Sequence, residues 1–361
     1  MLVVDAHLDL SWNALQWNRD LTCSVHTLRA QERPSEGKGR GLNTVAYPEM
    51  RCGRVAVCFA TMLARSTGHP SPHIDFAQPA QAYGIAQGQL AYYRALTQQG
   101  IARILTNAAE LDRHWAEWER WDAHYAGDDA NDAPPLGFVL TMEGADPILN
   151  PEQLAEWHAA GLRLLGITHY GPGRYAGGTG TELGLTDLGA PLLCEMERLG
   201  VALDLTHCSD QAFWQALEIY HGPVHASHNN CRALVPHQRQ FSDDQLCAII
   251  ERGGVIGAAL DVWMLQTGWS AGPDLAHNPA LSAVVDHIDH VCQLAGNARH
   301  AAIGSDLDGG FGREQSPRDL DTIADLQRIA ELLAARGYGA EDINAILHGN
   351  WLRWLRQAWG R

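Results

Sequence analysis

Lysine is almost missing from this chain. Lys38 is the only one among 361 residues, and it sits in a polar, Gly-rich stretch, Glu36-Gly-Lys-Gly-Arg-Gly41. That setting argues against Schiff-base chemistry or a lysine nucleophile. A carboxylated lysine bridging two metals is excluded as well, so a bridging ligand has to be Asp or Glu. Cysteine occurs eight times, yet no C-x-x-C pair or finger-like spacing is present. Disulfide scaffolds belong to much shorter chains, so buried or free thiols are expected. No apolar run is long enough to span a bilayer, and no basic flank with an apolar segment and cleavage site opens the chain. A cytoplasmic protein without membrane contact is therefore expected. Excess positive charge is lacking too: the formal charge is −16, which argues against nucleic acid or an anionic membrane as partner.

What the chain does have is an ordinary globular composition, 46% hydrophobic and 19% charged. Its length fits one large α/β domain spanning residues 1–361. Short apolar runs at 2–7, 55–62, 137–143, 162–168, 201–206, 223–227, 255–260 and 301–305 read as strands. Helical signatures lie between most of them. Pro151 to Ala160 begins with proline and stops at Gly161. Ser242-Asp-Asp-Gln245 reads as a capping box, and Ser209 or Asp210 would cap a helix carrying Phe213, Trp214 and Leu217. Near the C-terminus Trp351, Trp354 and Leu355 share one helical face, as expected for docking on a core. Eight βα repeats predict a TIM-like (β/α)8 barrel, with an open doubly wound sheet as the alternative. Three irregular stretches, 65–79, 171–180 and 267–279, follow strands and are expected over the C-terminal face as lids or walls. The acidic stretch 122–135 precedes a strand and reads as solvated loop on the opposite face.

Polar residues cluster where strands should end. His7 and Asp9 close Val3-Val4-Asp5-Ala6-His7-Leu8-Asp9, and side chains two apart on a strand share a face. Glu143, His169, His207, His228 and Asp306 end later runs. Each alone reads more simply as a cap, a core histidine or an ion pair. All seven stand at strand ends of a barrel, which points them to one spot, and histidines with carboxylates suit divalent metals, two of which can share one carboxylate.

In order along the chain, His7-x-Asp9, Glu143-Gly144, Thr168-His169, Asp204-Leu-Thr-His207, Ser227-His228, Ile303-Gly-Ser-Asp-Leu-Asp-Gly309 and Gly349-Asn-Trp-Leu-Arg353 resemble the renal (membrane) dipeptidase family of zinc peptidases. The resemblance covers essentially the whole chain. It implies two Zn2+ per chain, hydrolysis of small dipeptides, L,D-dipeptides among them, and a homodimer. Carried onto matching positions, it implies that His7 and Asp9 hold one zinc, His207 and His228 the other, and that Glu143 bridges them. Asp306 would sit by the first zinc and handle the proton of the attacking water. His169 would face the scissile carbonyl and stabilise its oxyanion, and Arg239 would pair with the substrate's C-terminal carboxylate, with Arg232 as its rival. The loop holding His69 and His73 matches no family string, and neither histidine is expected at the metals. Without signal, tail or disulfides, the chain resembles soluble bacterial members. Alternatives are another binuclear amidohydrolase acting on acyl-amino acids or lactones, or a non-catalytic ligand-binding barrel.

Overall fold

The computed structural model describes residues 1–32, 37–124, 130, 132–272 and 275–360. Among the described residues nine strands alternate with helices: β1 Val3–Leu8, β2 Val55–Leu63, β3 Ala102–Ile104, β4 Leu136–Glu143, β5 Leu164–Gly166, β6 Ala202–Asp204, β7 Val224–His225, β8 Ile256–Ala258 and β9 Ala301–Ile303. All pairings between them are parallel, in the order β1-β2-β4-β5-β6-β7, with β8 paired to β9. At one seam the two sheets meet at the Ala226–Ile256 bridge, where Gly257 donates to the carbonyl of Ala226 at 2.8 Å. At the other, the Asp5 carboxylate of β1 accepts from the backbone N–H and the hydroxyl of Ser305, just past β9. The parallel strands thus curl into the expected barrel. Asp204 ties β6 to the end of β7 in the same way, by accepting from Ser227 N at 3.0 Å.

The burial pattern explains why the apolar runs were readable. Every residue of β1, β2 and β4 is buried, as in strands covered on both faces. The strand missed from sequence is β3. It is only Ala-Arg-Ile, two of its three residues are not fully buried, and no apolar run marks it. It shares one edge of β4 with β5, pairing along Leu136–Phe138 while β5 pairs along Thr141–Glu143. The later ladders are shorter than the apolar runs, because the residues that follow them turn away towards one end of the barrel. Ser242 and Gln245 form the expected capping box, and Ser209, not Asp210, caps the helix Asp210–Ile219. Trp351, Trp354 and Leu355 are buried, and the Trp351 indole donates to the carbonyl of Ile303 under β9. None of the eight cysteines forms a disulfide. Among the described residues no helix is long and apolar enough to cross a membrane. The acidic stretch 122–135 lies partly outside the described residues; Asp122 pairs with Arg54, just ahead of β2 and therefore at the end of the barrel away from His7.

Candidate metal centre

His7 lies within β1, Asp9 directly after it, and Glu143 is the last residue of β4. His169, His207, His228 and Asp306 each sit three residues past the ends of β5, β6, β7 and β9. Reaching inward from those turns strains the backbone. His207 (φ 67°) and Asp306 (φ 58°) occupy the left-handed region that L-residues rarely adopt. Gly309 makes room for the second of them, since a Cβ there would come within 1.9 Å of Asp306 Oδ1.

The side chains converge on one carboxylate oxygen. Glu143 Oε1 lies 3.1 Å from His207 Nε2, 3.3 Å from His228 Nε2, and 3.6 Å from both His7 Nε2 and His169 Nε2. On the other side of His7, its Nε2 is 3.9 Å from Asp9 Oδ2 and 3.8 Å from Asp306 Oδ1. Three overlapping groups could each hold a cation: His7, Glu143 and His228; Glu143, His169 and His207; His7, Asp9 and Asp306. All but His169 and Asp306 are buried.

These residues fit metal ions better than they fit one another. His7 Nε2 and Asp9 Oδ1 are buried with no hydrogen-bond partner, an arrangement that is costly unless something else meets them. His207 Nε2 and His228 Nε2 face each other at 3.2 Å. Hydroxyls stand behind both rings, Thr179 Oγ1 at 2.9 Å from His207 Nδ1 and Ser227 Oγ at 2.9 Å from His228 Nδ1. With the ring proton on Nδ1 the hydroxyl accepts it, and each Nε2 keeps its lone pair towards the cluster, as a metal ligand needs. Nitrogen and oxygen donors of this kind are a zinc-type set.

The electrostatics carry the same signature. Burial, with Arg239 nearby, holds His207 and His228 well below the usual histidine range, so both rings are neutral. Burial also pushes Glu143 up to about 8, against the pull of His7 and Arg239, and raises Asp306 well above the ordinary carboxylate range. Burial opposes the cation of His7, but Glu143 and Asp9 override it and push this imidazole up to about 10. These groups therefore carry protons at pH 7 that a dication must displace on binding. Metal uptake is expected to release protons, so the calorimetric heat should vary with the ionisation enthalpy of the buffer. Buffer-independent heats would contradict this electrostatic account.

The cluster floors a cavity of about 280 Å³, at the small end of ligand sites. Arg239 lines it and is 2% exposed; two of its N–H groups go to Asn229 Oδ1 and the carbonyl of His228, leaving others for a ligand. Arg232 is engaged elsewhere, with both terminal nitrogens on Asp210. Sequence reasoning missed several wall residues, among them Tyr170, Asp261, Trp263, Phe311 and Gln315. They come from separate loops and carry no periodic signal. The three irregular stretches behave differently from one another. Arg65 and Ile74 of 65–79 line the cavity, but no described residue of 171–180 or 267–279 does. The Gly-rich 171–180 segment instead folds back to place Thr179 behind His207, and Gly178 permits it, because a Cβ there would sit 1.8 Å from the carbonyl of His169. Residues 273 and 274 lie outside the described residues. Lys38 lines the cavity too, with Nζ 5.9 Å from the Phe311 ring centre. The backbone brings it there, since Gly39 N donates to Glu314 on the loop that carries Phe311. His69 and His73 are exposed and outside the cavity lining.

Comparison with known proteins is consistent along the whole chain. The sequence model of the family described as membrane dipeptidase (peptidase family M19) matches residues 1–359. An uncharacterized protein in the pqqA 5' region of Klebsiella pneumoniae is 29% identical over 292 residues, 78% of this chain and 98% of that protein. Dipeptidase 3 of Rattus norvegicus is 33% identical over 174 residues, 48% of this chain and 33% of that protein. The fold is similar to the crystal structure of the dipeptidase AC, a metallo peptidase, with TM-score 0.78 and 25% identity over 100% of this chain and 99% of that one. It is also similar to a metallo peptidase from Rhodobacter sphaeroides liganded with a phosphinate mimic of the dipeptide L-Ala-D-Ala, with TM-score 0.77 and 24% identity over 99% of each chain.

Proposed function

The chain belongs to the membrane dipeptidase family of metallopeptidases, and from that premise we propose that it is a dinuclear zinc dipeptidase cleaving small dipeptides with a free C-terminal carboxylate. The observation that carries this reading is the convergence of four imidazole nitrogens on one buried carboxylate oxygen at the floor of a cavity that also holds a buried arginine. In this reading His7 and Asp9 would hold one Zn2+ and His207 and His228 the other, with Glu143 shared between them and Asp306 beside the first. When bound, the zinc ions supply Lewis acidity at the scissile carbonyl and bring the pKa of an attacking water towards neutrality.

The protein's own groups do the rest. Asp306 takes the proton of the attacking water and returns it to the leaving amine. His169 donates a hydrogen bond to the oxyanion that develops on the carbonyl. Arg239 fixes the substrate carboxylate through its unused N–H groups, a geometry that suits a planar carboxylate. We also take residues 1–361 as one catalytic domain working as a cytoplasmic homodimer. Sedimentation equilibrium checks the assembly, and a monomer at micromolar concentration would remove the dimer from this reading.

The experiment is a panel of L,L- and L,D-dipeptides, their C-terminal amides, and N-acyl-amino acids and lactones, each with zinc-loaded and metal-free protein. The mimic held by the Rhodobacter sphaeroides enzyme makes L-Ala-D-Ala the first compound to try. Zinc-dependent release of free amino acids from dipeptides alone is the expected result. Turnover confined to acyl-amino acids or lactones would replace the peptidase with another amidohydrolase. No turnover of any of them would favour a ligand-binding barrel.

A further inference from the structure

His169 stands among the possible metal ligands by distance alone, since its Nε2 is as near to Glu143 Oε1 as that of His7. What distinguishes it is the group behind it. His207 and His228 have hydroxyls at Nδ1, and a hydroxyl can accept or donate. His169 has Arg65 there, with a guanidinium nitrogen 3.3 Å from Nδ1. A guanidinium has no acceptor, so Nδ1 must be the acceptor, and in a neutral ring the proton then sits on Nε2. We propose that Arg65 is a positioning residue that locks His169 as the Nε2–H tautomer, making it a hydrogen-bond donor into the cavity and barring it from metal ligation.

The surroundings hold Arg65 to that task. Its backbone is fixed on both sides, N–H to the carbonyl of Ile74 at 2.8 Å and carbonyl to the N–H of Phe76 at 2.8 Å, so the 65–76 segment closes on itself. Asp75 Oδ2 lies 3.6 Å from Arg65 Nε, and that buried carboxylate is anchored in turn by Thr67 N and Thr67 Oγ1. On the far side the Tyr170 ring meets His169 edge-on at 4.9 Å. Because Nδ1 must keep its lone pair to accept from the guanidinium, the ring carries a single proton, on Nε2. The irregular loop after β2 is thereby given a purpose: it delivers one cation to the back of one imidazole.

The kinetic part of the test rests on the dipeptidase reading. Four zinc-loaded proteins are compared: Arg65→Met, Arg65→Lys, His169→Ala and the Arg65→Met/His169→Ala double variant. Arg65→Met should lower kcat about 10- to 100-fold with KM little changed, the usual scale for a group that orients another. Arg65→Lys, which still donates, should recover most of the loss. In the His169→Ala background Arg65→Met should cost nothing more, and all four proteins should bind as much zinc as the parent. Equal cost in both backgrounds would show that Arg65 acts on substrate or loop directly, and loss of zinc from His169→Ala would make His169 a ligand; either overturns the proposal. If no dipeptide is turned over at all, the dipeptidase reading fails while this one is still tested by nitrogen NMR of histidine-labelled protein. The ring signals lost in His169→Gln should report a protonated Nε2, and a protonated Nδ1 would refute the lock.

Discussion

Glu143→Gln is expected to lose zinc and to reduce dipeptide turnover at least about a thousand-fold, the scale seen when one member of a concerted catalytic group is removed. The amide nearly matches the carboxylate in size, so packing is preserved. What disappears is the negative charge that four imidazole nitrogens approach within 3.1 to 3.6 Å. No lysine can replace the bridge, and the only lysine lies on the cavity wall over Phe311. Zinc content by mass spectrometry and kcat measured on the same sample separate the two losses. Full activity in this variant would eliminate Glu143 as the bridge.

Arg239→Ala is expected to lower kcat/KM for dipeptides with a free carboxylate about 30- to 4,000-fold, the equivalent of breaking a buried charge pair. The residue is buried, and its partners Asn229 Oδ1 and the His228 carbonyl lie on the strand end that carries a proposed zinc ligand. Some loss is therefore expected for every substrate. The clamp is read from the difference: C-terminally amidated dipeptides should lose far less than the free acids. An equal loss on both would show that Arg239 only supports the His228 loop. The rival Arg232 should be silent in the same assay, because Asp210 already occupies it.

Much of this centre could be read without coordinates, for a physical reason. Strands buried on both faces leave continuous apolar runs, and a metal cluster at a barrel mouth leaves a polar residue shortly after each run. That is why His7, Asp9, Glu143, His169, His207, His228 and Asp306 could be collected from spacing, and they do lie together. The choice between Arg239 and Arg232 was not available from composition or period. It depends on which one Asp210 reaches, a contact across 22 positions of sequence. Tyr170 and Asp261 were missed for a similar reason, since loop residues converge only after the barrel has closed. Asp5 and Asp204 show the opposite limit. Their types are plain in the strand strings, yet their task is to join neighbouring strands through Ser305 and Ser227. The short β3 left no trace because half-buried Ala-Arg-Ile has neither an apolar run nor an alternation.

The most direct test of the whole account is a zinc titration of the metal-free protein, followed by the initial rate of L-Ala-D-Ala hydrolysis. The account predicts that activity rises with added zinc and levels off at two equivalents per chain. A plateau at one equivalent would contradict the dinuclear centre, and a protein that binds two equivalents without cleaving any dipeptide would contradict the peptidase.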